Sequence, residues 1–333
     1  MVNTLIAVGI IPTTYALARR LRVGVNAALA AAFIVAIDLT SVRLSGVLLA
    51  EPLANLLLAL GFVTTAALRD ADGRRRVAVL GIAASVFILL SAFTRPAAFL
   101  LWIPLTVWVF MSRSDLRLVA ALALALPAGL GIFGWSHHNL VYFGNNTFST
   151  IGTFNLLYYR AAAVHHVAHG RTGMALTYTE LARRVEERMG NDVADVGPNR
   201  RYNHRGPNAK QAAAMRSVAQ DLFREYPLEY VLTIPVGLYR ALIKASNIPW
   251  VVAVCWNLIF LLAVGAGAWR LVRERKWSLL AFLCLPCLYF IVGTVLVQTS
   301  GIDTRARVMV TPLMALLAVL AYRRLLPSSA DMR

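Results

Sequence analysis

Charge is scarce in this sequence. Of 333 residues only 15% are Asp, Glu, Lys or Arg, while 59% are hydrophobic. That balance excludes an ordinary soluble domain. Acid is scarcer than base, with 16 Asp and Glu against 33 Lys and Arg, and no acidic residue precedes Asp38. The resulting charge of +17 does not point to nucleic acid, because the basic residues sit in short clusters between apolar runs, as membrane loops do. Cysteine is limited to Cys255, Cys284 and Cys287, all inside apolar segments. Cys284 and Cys287 have CxxC spacing, yet no second ligand pair or redox fold accompanies them, so all three read as small core residues. Internal repeats, heptad arrays and low-complexity tracts are absent.

What fills the chain instead is a series of apolar runs of bilayer-spanning length. They are Val2–Ala18, Val23–Leu39, Val47–Leu68, Val77–Phe93, Ala97–Met111, Leu116–Trp135, Trp250–Leu271, Trp277–Val297 and Val308–Leu325. The expected fold is therefore an all-α polytopic membrane protein of about nine transmembrane helices. Residues 1–135 form an N-terminal membrane part, residues 136–248 a polar insertion, and residues 249–333 a C-terminal membrane part with a short tail.

Lys and Arg set the orientation. Arg19, Arg20 and Arg22, then Arg69 and Arg74–Arg76, Arg113 and Arg117, Arg270–Lys276, and Arg323 and Arg324 mark every second junction as cytoplasmic. The insertion then faces outside the cytoplasm, provided that Tyr230–Lys244, which carries Pro235, Arg240 and Lys244, lies on the outer surface as an amphipathic helix.

The most informative residue is Glu51, a carboxylate at the start of an apolar stretch. A charge at membrane depth costs a few kcal/mol even on lenient scales, and such groups usually face a cavity or a partner. Asp38, Arg43, Glu51, Arg95, Arg305 and Arg307 all fall at the outer ends of spans. Four cations and two carboxylates on one side describe a pocket for an anionic group. The alternative is interface anchoring and mutual ion pairing, which suits Arg43 and Arg307 best; Glu51 and Arg95 are flanked by proline, and a snorkelling stem explains them less well.

In the insertion, Thr177–Met189 has helical periodicity and a capping-box pattern of Thr177 with Glu180. Asn191–Asn208 reads as a loop, Gln211–Tyr226 as a second amphipathic helix stopped by Pro227, and Gly144–Thr147 as a turn. His165 and His169 have metal-ligand spacing but no evident third ligand, so they read as surface or interface histidines. His137 and His138 end a span, where they would contact a lipid headgroup or substrate.

Several stretches resemble polytopic glycosyltransferases of the GT-C superfamily that use polyprenyl-phosphate sugars, in particular bacterial members of the protein-mannosyltransferase-like family 39. They are Ser45–Leu53, Ser91–Pro96, Ser149–Tyr159, Glu225–Tyr230 and Asp303–Arg307 leading to Pro312. The resemblance implies transfer of a sugar from a lipid-phosphate carrier to an acceptor glycan, lipid or protein at the outer membrane face, with inversion at the anomeric carbon. The implied partners are a polyprenyl-phosphate-linked sugar and membrane lipids; nucleic acid is not one. It implies that Glu51 sits near the phosphate, its divalent metal (Mg or Mn) or the acceptor. Arg95, Arg305, Arg307 and Arg43 are candidates for the lipid phosphate, since a planar guanidinium pairs with phosphate oxygens. Asp38 is a further acidic candidate, and Tyr158 and Tyr159 are candidates for stacking on a sugar.

The family's first span and its first acidic loop have no counterpart, and the start of the chain lacks a signal-peptide pattern. The expectation is a remainder of a longer protein or an inactive homologue. A transporter or flippase for an anionic lipid, and a non-catalytic membrane scaffold, are the alternatives. The Ala- and Arg-rich, Lys-poor usage points to a GC-rich bacterial genome, hence a bacterial plasma membrane.

Overall fold

The structure, a computed structural model, describes residues 2–46, 50–113, 115–170, 173–190, 208–244, 248–297 and 304–322. Among the described residues all regular structure is helical and there is no strand. The chain divides into two compact units. Unit 1 comprises residues 1–132, 242–291 and 304–333, and unit 2 residues 133–241 and 292–303.

Among the described residues, five helices are long and apolar enough to cross a membrane: α4 (Glu51–Leu68), α5 (Arg74–Thr94), α7 (Arg117–Phe143), α13 (Trp250–Arg273) and α14 (Trp277–Val297). A sixth is gained if α2 (Val25–Ile37) and α3 (Leu39–Ser45), bent by 57° at Asp38, count as one span. These helices fit a multi-pass helical membrane protein, but nine spans are not reached. The apolar run after Ala97 becomes a short 3-10 turn followed by α6 (Trp102–Ser112). The run after Val308 breaks into α15 (Arg305–Val308) and α16 (Thr311–Ala321). With 11 residues each, α6 and α16 reach about 16 Å, roughly half a hydrocarbon core. The first run forms α1 (Val2–Arg20), which is long enough but diluted by Asn3, Thr4, Pro12, Thr13 and Thr14.

Unit 1 has two chemically distinct ends. Helices α1 and α4 run parallel: Gly9 lies against Leu56 near their starts, and Arg22 pairs with Asp70 beyond their far ends. At that far end the buried Arg113 donates to the carbonyls of Leu68 and Ala71, and Ser112 bonds Ser278. The basic junctions after α1, α4 and α6 and the start of α14 thus gather at one end, as the charge alternation requires. At the opposite end Thr4 donates to the Ser45 carbonyl, and Tyr289 bonds Ala97 and Leu100.

Helix α16 is the centre of unit 1. Every residue from Thr311 to Leu320 is buried. A helix that is apolar all round belongs inside a bundle, and α16 packs between α13 and α2. Its contact with α13 is close because position 267 is glycine, so the helix backbones approach through it.

Unit 2 is built around α8 (Ile151–Asn155), a π-helical segment (156–161), α9 (Ala162–Ala168), α10 (Met174–Met189), α11 (Ala209–Glu225) and α12 (Pro227–Leu242). Leu157, Tyr158, Leu181, Val185, Val218 and Leu222 are among its core. Helix α10 starts three residues before the expected capping box, so Thr177 is buried inside it and Glu180 pairs with Arg183 and Arg184. The capping box lies instead on α11, where Asn208 and Gln211 exchange side-chain to backbone bonds. Helix α11 ends at Glu225, with Tyr226 as its cap, just before Pro227 as expected, and Pro227 also opens α12, in keeping with proline's tolerance in a first turn. Gly144, with φ 66°, makes the predicted turn, closed by the Asn139 amide on the Thr147 carbonyl. The predicted loop lies almost wholly outside the described residues. Among the cysteines, Cys287 is buried, Cys284 half-buried, and Cys255 exposed on α13 rather than in a core.

Candidate functional site

Two ion pairs stand at the less basic end of unit 1. The first joins the bend between α2 and α3 to α15. Asp38 caps α3: one carboxylate oxygen accepts from the Ser41 backbone N–H at 3.0 Å and from the Ser41 hydroxyl at 2.8 Å. Its other oxygen accepts from Arg307 Nη2 at 2.7 Å and from the Trp256 indole at 3.5 Å. Both residues are buried, with side-chain exposures of 0% for Arg307 and 1% for Asp38. The Arg307 guanidinium also lies 5.2 Å from the Phe260 ring centroid, while its Nε and Nη1 are buried without a hydrogen-bond partner. Beside it, the Thr40 and Thr304 hydroxyls share a buried 2.7 Å hydrogen bond.

The second pair joins the first residue of α4 to the residue after α5. Arg95 Nη1 lies 2.9 Å from Glu51 Oε1. It is a charge contact without the alignment of a hydrogen bond. This pair is more open than the first, with side-chain exposures of 26% for Arg95 and 11% for Glu51. A carboxylate in the first turn of α4 is favoured by the helix macrodipole, and Pro52 suits that turn. Arg43 and Arg305, both half-buried, sit on α3 and α15, which pack together.

A cavity of about 140 Å³ lies among α1, α2, α3, the start of α4 and the start of α16, and none of the six candidate charged residues lines it. Its walls are mostly aliphatic, with Thr4, Ser41, Ser45, Asn55 and Thr311 supplying polar groups. Asn55 stands one turn after Glu51, and its carbonyl oxygen is buried without a partner. Asp38, Glu51, Arg95, Arg305, Arg307 and Arg43 are thus all placed in one unit, on helices that meet at one end.

Tyr158 and Tyr159 belong to unit 2. Tyr158 is fully buried, 4.8 Å from the Phe154 ring and 6.0 Å from that of Tyr178. Burial, reinforced by Glu186, pushes its phenol well above the usual range. The ring is part of the core of unit 2, the packing role that is the alternative to stacking on a sugar. Tyr159 is half-buried and edge-on to Phe154 at 5.9 Å.

His165 corrects an expectation. It is buried, not a surface group, and its ring stacks on His169 at 4.0 Å. Burial first, then His169 and Arg184, hold its pKa below the ordinary value, against the opposing pull of Glu180 and Glu225. A neutral folded histidine means that the unfolded chain takes up the proton first as pH falls. The stability of unit 2 is therefore full above about pH 6.5 and declines as the pH drops below it. Thermal unfolding at pH 7.5 and pH 5 should show this decline in the wild type and a smaller one in His165→Gln; equal declines would refute it.

Among the described residues, no group of three His, Cys, Asp or Glu gathers to hold a metal, and the Glu51 carboxylate is matched by a guanidinium. Sequence reasoning missed Trp256 and Phe260, which are four residues apart on α13 and therefore share a face; that spacing was the available signal. Comparison with protein families, with curated proteins and with solved structures gives no match.

Proposed function

We propose that this chain is a glycosyltransferase that moves a sugar from a polyprenyl-phosphate carrier to an acceptor at the extracytoplasmic face of a bacterial plasma membrane. The observation that carries this reading is the Glu51–Arg95 pair: two opposite charges, neither fully buried, at a membrane-helix end. Arg95 is suited to the departing phosphate, whose charge grows as the glycosidic bond breaks. Glu51 is suited to the acceptor hydroxyl, whose proton must be taken as the new bond forms. Asp38 has a positioning role, because both of its oxygens are engaged in capping α3 and holding Arg307. No step is assigned to a metal.

The test is transfer from lipid-linked sugar in membranes. Wild type should transfer, and Glu51→Gln should lose roughly 10²- to 10⁴-fold of the rate. Absence of transfer by wild type, or full activity of Glu51→Gln, would refute the assignment. A second reading rests on the 57° break at Asp38. Broken helices carrying charge are a hallmark of transporters, so uptake of an anionic lipid or solute into vesicles is the companion assay.

A further inference from the structure

We infer that unit 2 docks on the lipid surface through two contacts of its own: the outward face of α12 and the aromatic end of α7. Helix α12 is divided along its length. Thr233, Gly237 and Ala241 are buried, whereas Leu228, Val231, Leu232, Val236 and Tyr239 are exposed. At 100° per residue these five fall on one broad face. Glu229 and Arg240 lie on its flank.

The other side of the helix is already held. Arg160 donates to the Tyr230 carbonyl at 2.8 Å and covers the Tyr230 ring at 4.1 Å, and Phe223 packs on the same ring at 4.8 Å. The apolar face is therefore what remains outward, and Leu228 and Val231 are 65% and 56% exposed.

Lipid is the occupant that chain continuity selects. Ile243, the residue after α12, is bonded through its carbonyl to the Asn257 amide at 2.8 Å. Asn257 stands seven residues inside the spanning helix α13, about 10 Å along its axis. The chain leaving α12 is thereby tied at once to a spanning helix. Helix α7 gives the second contact. Its 27 residues extend about 40 Å, roughly 10 Å more than a hydrocarbon core. The last turns carry Trp135, His138, Tyr142 and Phe143, with His138 ringed by the other three at 5.2, 4.5 and 6.2 Å. Tyr142 and Phe143 are mostly exposed. Aromatic rings of this kind are enriched at headgroup level. The end of α7 thus carries an aromatic surface of headgroup type, and α12 has the features of a helix lying in the interface plane.

The inference does not depend on the glycosyltransferase reading. It is tested with the full chain in phosphatidylcholine vesicles, carrying an environment-sensitive fluorophore on Leu232→Cys after replacement of Cys255, Cys284 and Cys287 by Ala. A label on Thr179→Cys, on the exposed side of α10, is the reference, and wild-type melting of each variant certifies the fold. A nitroxide lipid labelled near the headgroup should quench the fluorophore at position 232 at least roughly twofold more than one labelled at the chain end, and should leave position 179 unquenched. No quenching at 232 would overturn the inference. So would strongest quenching from the chain end, which means a spanning segment, or quenching that falls with protein density, which means a second copy covers the face.

Discussion

Asp38→Ala should destabilise unit 1 by about 3–5 kcal/mol, the usual cost of leaving a buried charge without its counter-charge. Arg307 is fully buried, and among the described residues its guanidinium donates one hydrogen bond, to Asp38. Removing the carboxylate strands the whole guanidinium in an apolar setting. It also removes the side-chain cap of α3, which adds about 1 kcal/mol. The pair as a unit is a different matter. Apolar replacement of both partners is often neutral or even favourable, so Asp38→Leu combined with Arg307→Met should melt much closer to wild type than Asp38→Ala does. Thermal unfolding in detergent distinguishes the two. If Asp38→Ala melts with the wild type, the pair contributes nothing to the fold.

Gly267→Leu should have an effect of similar size, by crowding instead of charge. A Cβ at position 267 would overlap the Leu317 carbonyl oxygen and lie 2.6 Å from its carbon. Those are backbone atoms of α16, which has no free side to retreat to because all of Thr311–Leu320 is buried. Overpacking commonly costs about 1–3 kcal/mol where side chains can yield; where backbone must move, the upper end or beyond is expected. Gly267→Ala should already lower the melting temperature, and Gly267→Leu should abolish a cooperative transition. Gly265, two residues away with open space around it, is the control: Gly265→Ala should melt as wild type does. Equal behaviour of the two alanine variants would show that α13 and α16 are not packed through Gly267.

Much of the spanning framework was legible. Helices α4, α5, α7, α13 and α14 follow apolar runs that composition alone marks, since a long unbroken run has few other destinations. The short elements were not. The run ending at Leu325 looks like a span, but among the described residues α16 takes up 11 of its positions. Burial on all sides leaves the same composition as exposure to lipid. The candidate charges were readable one by one, because acid near an apolar run is rare. Their pairing was not: Asp38 and Arg307 are 269 residues apart, and no local periodicity reports such a contact. His165 was misread for the same reason, since its stacking partner is on its own helix but the walls that bury it come from α10 and α11.

The central place of α16 has a consequence for biosynthesis. Ribosomes add about 5–20 residues per second, so Arg307 emerges roughly 15–50 s after Asp38. Throughout that interval the early helices have neither their core helix nor the counter-charge for their acid. Nascent chains arrested before Thr311 should therefore be open bundles, recognisable to membrane quality-control proteases, and the final locking of the bundle should be a late, post-insertion event.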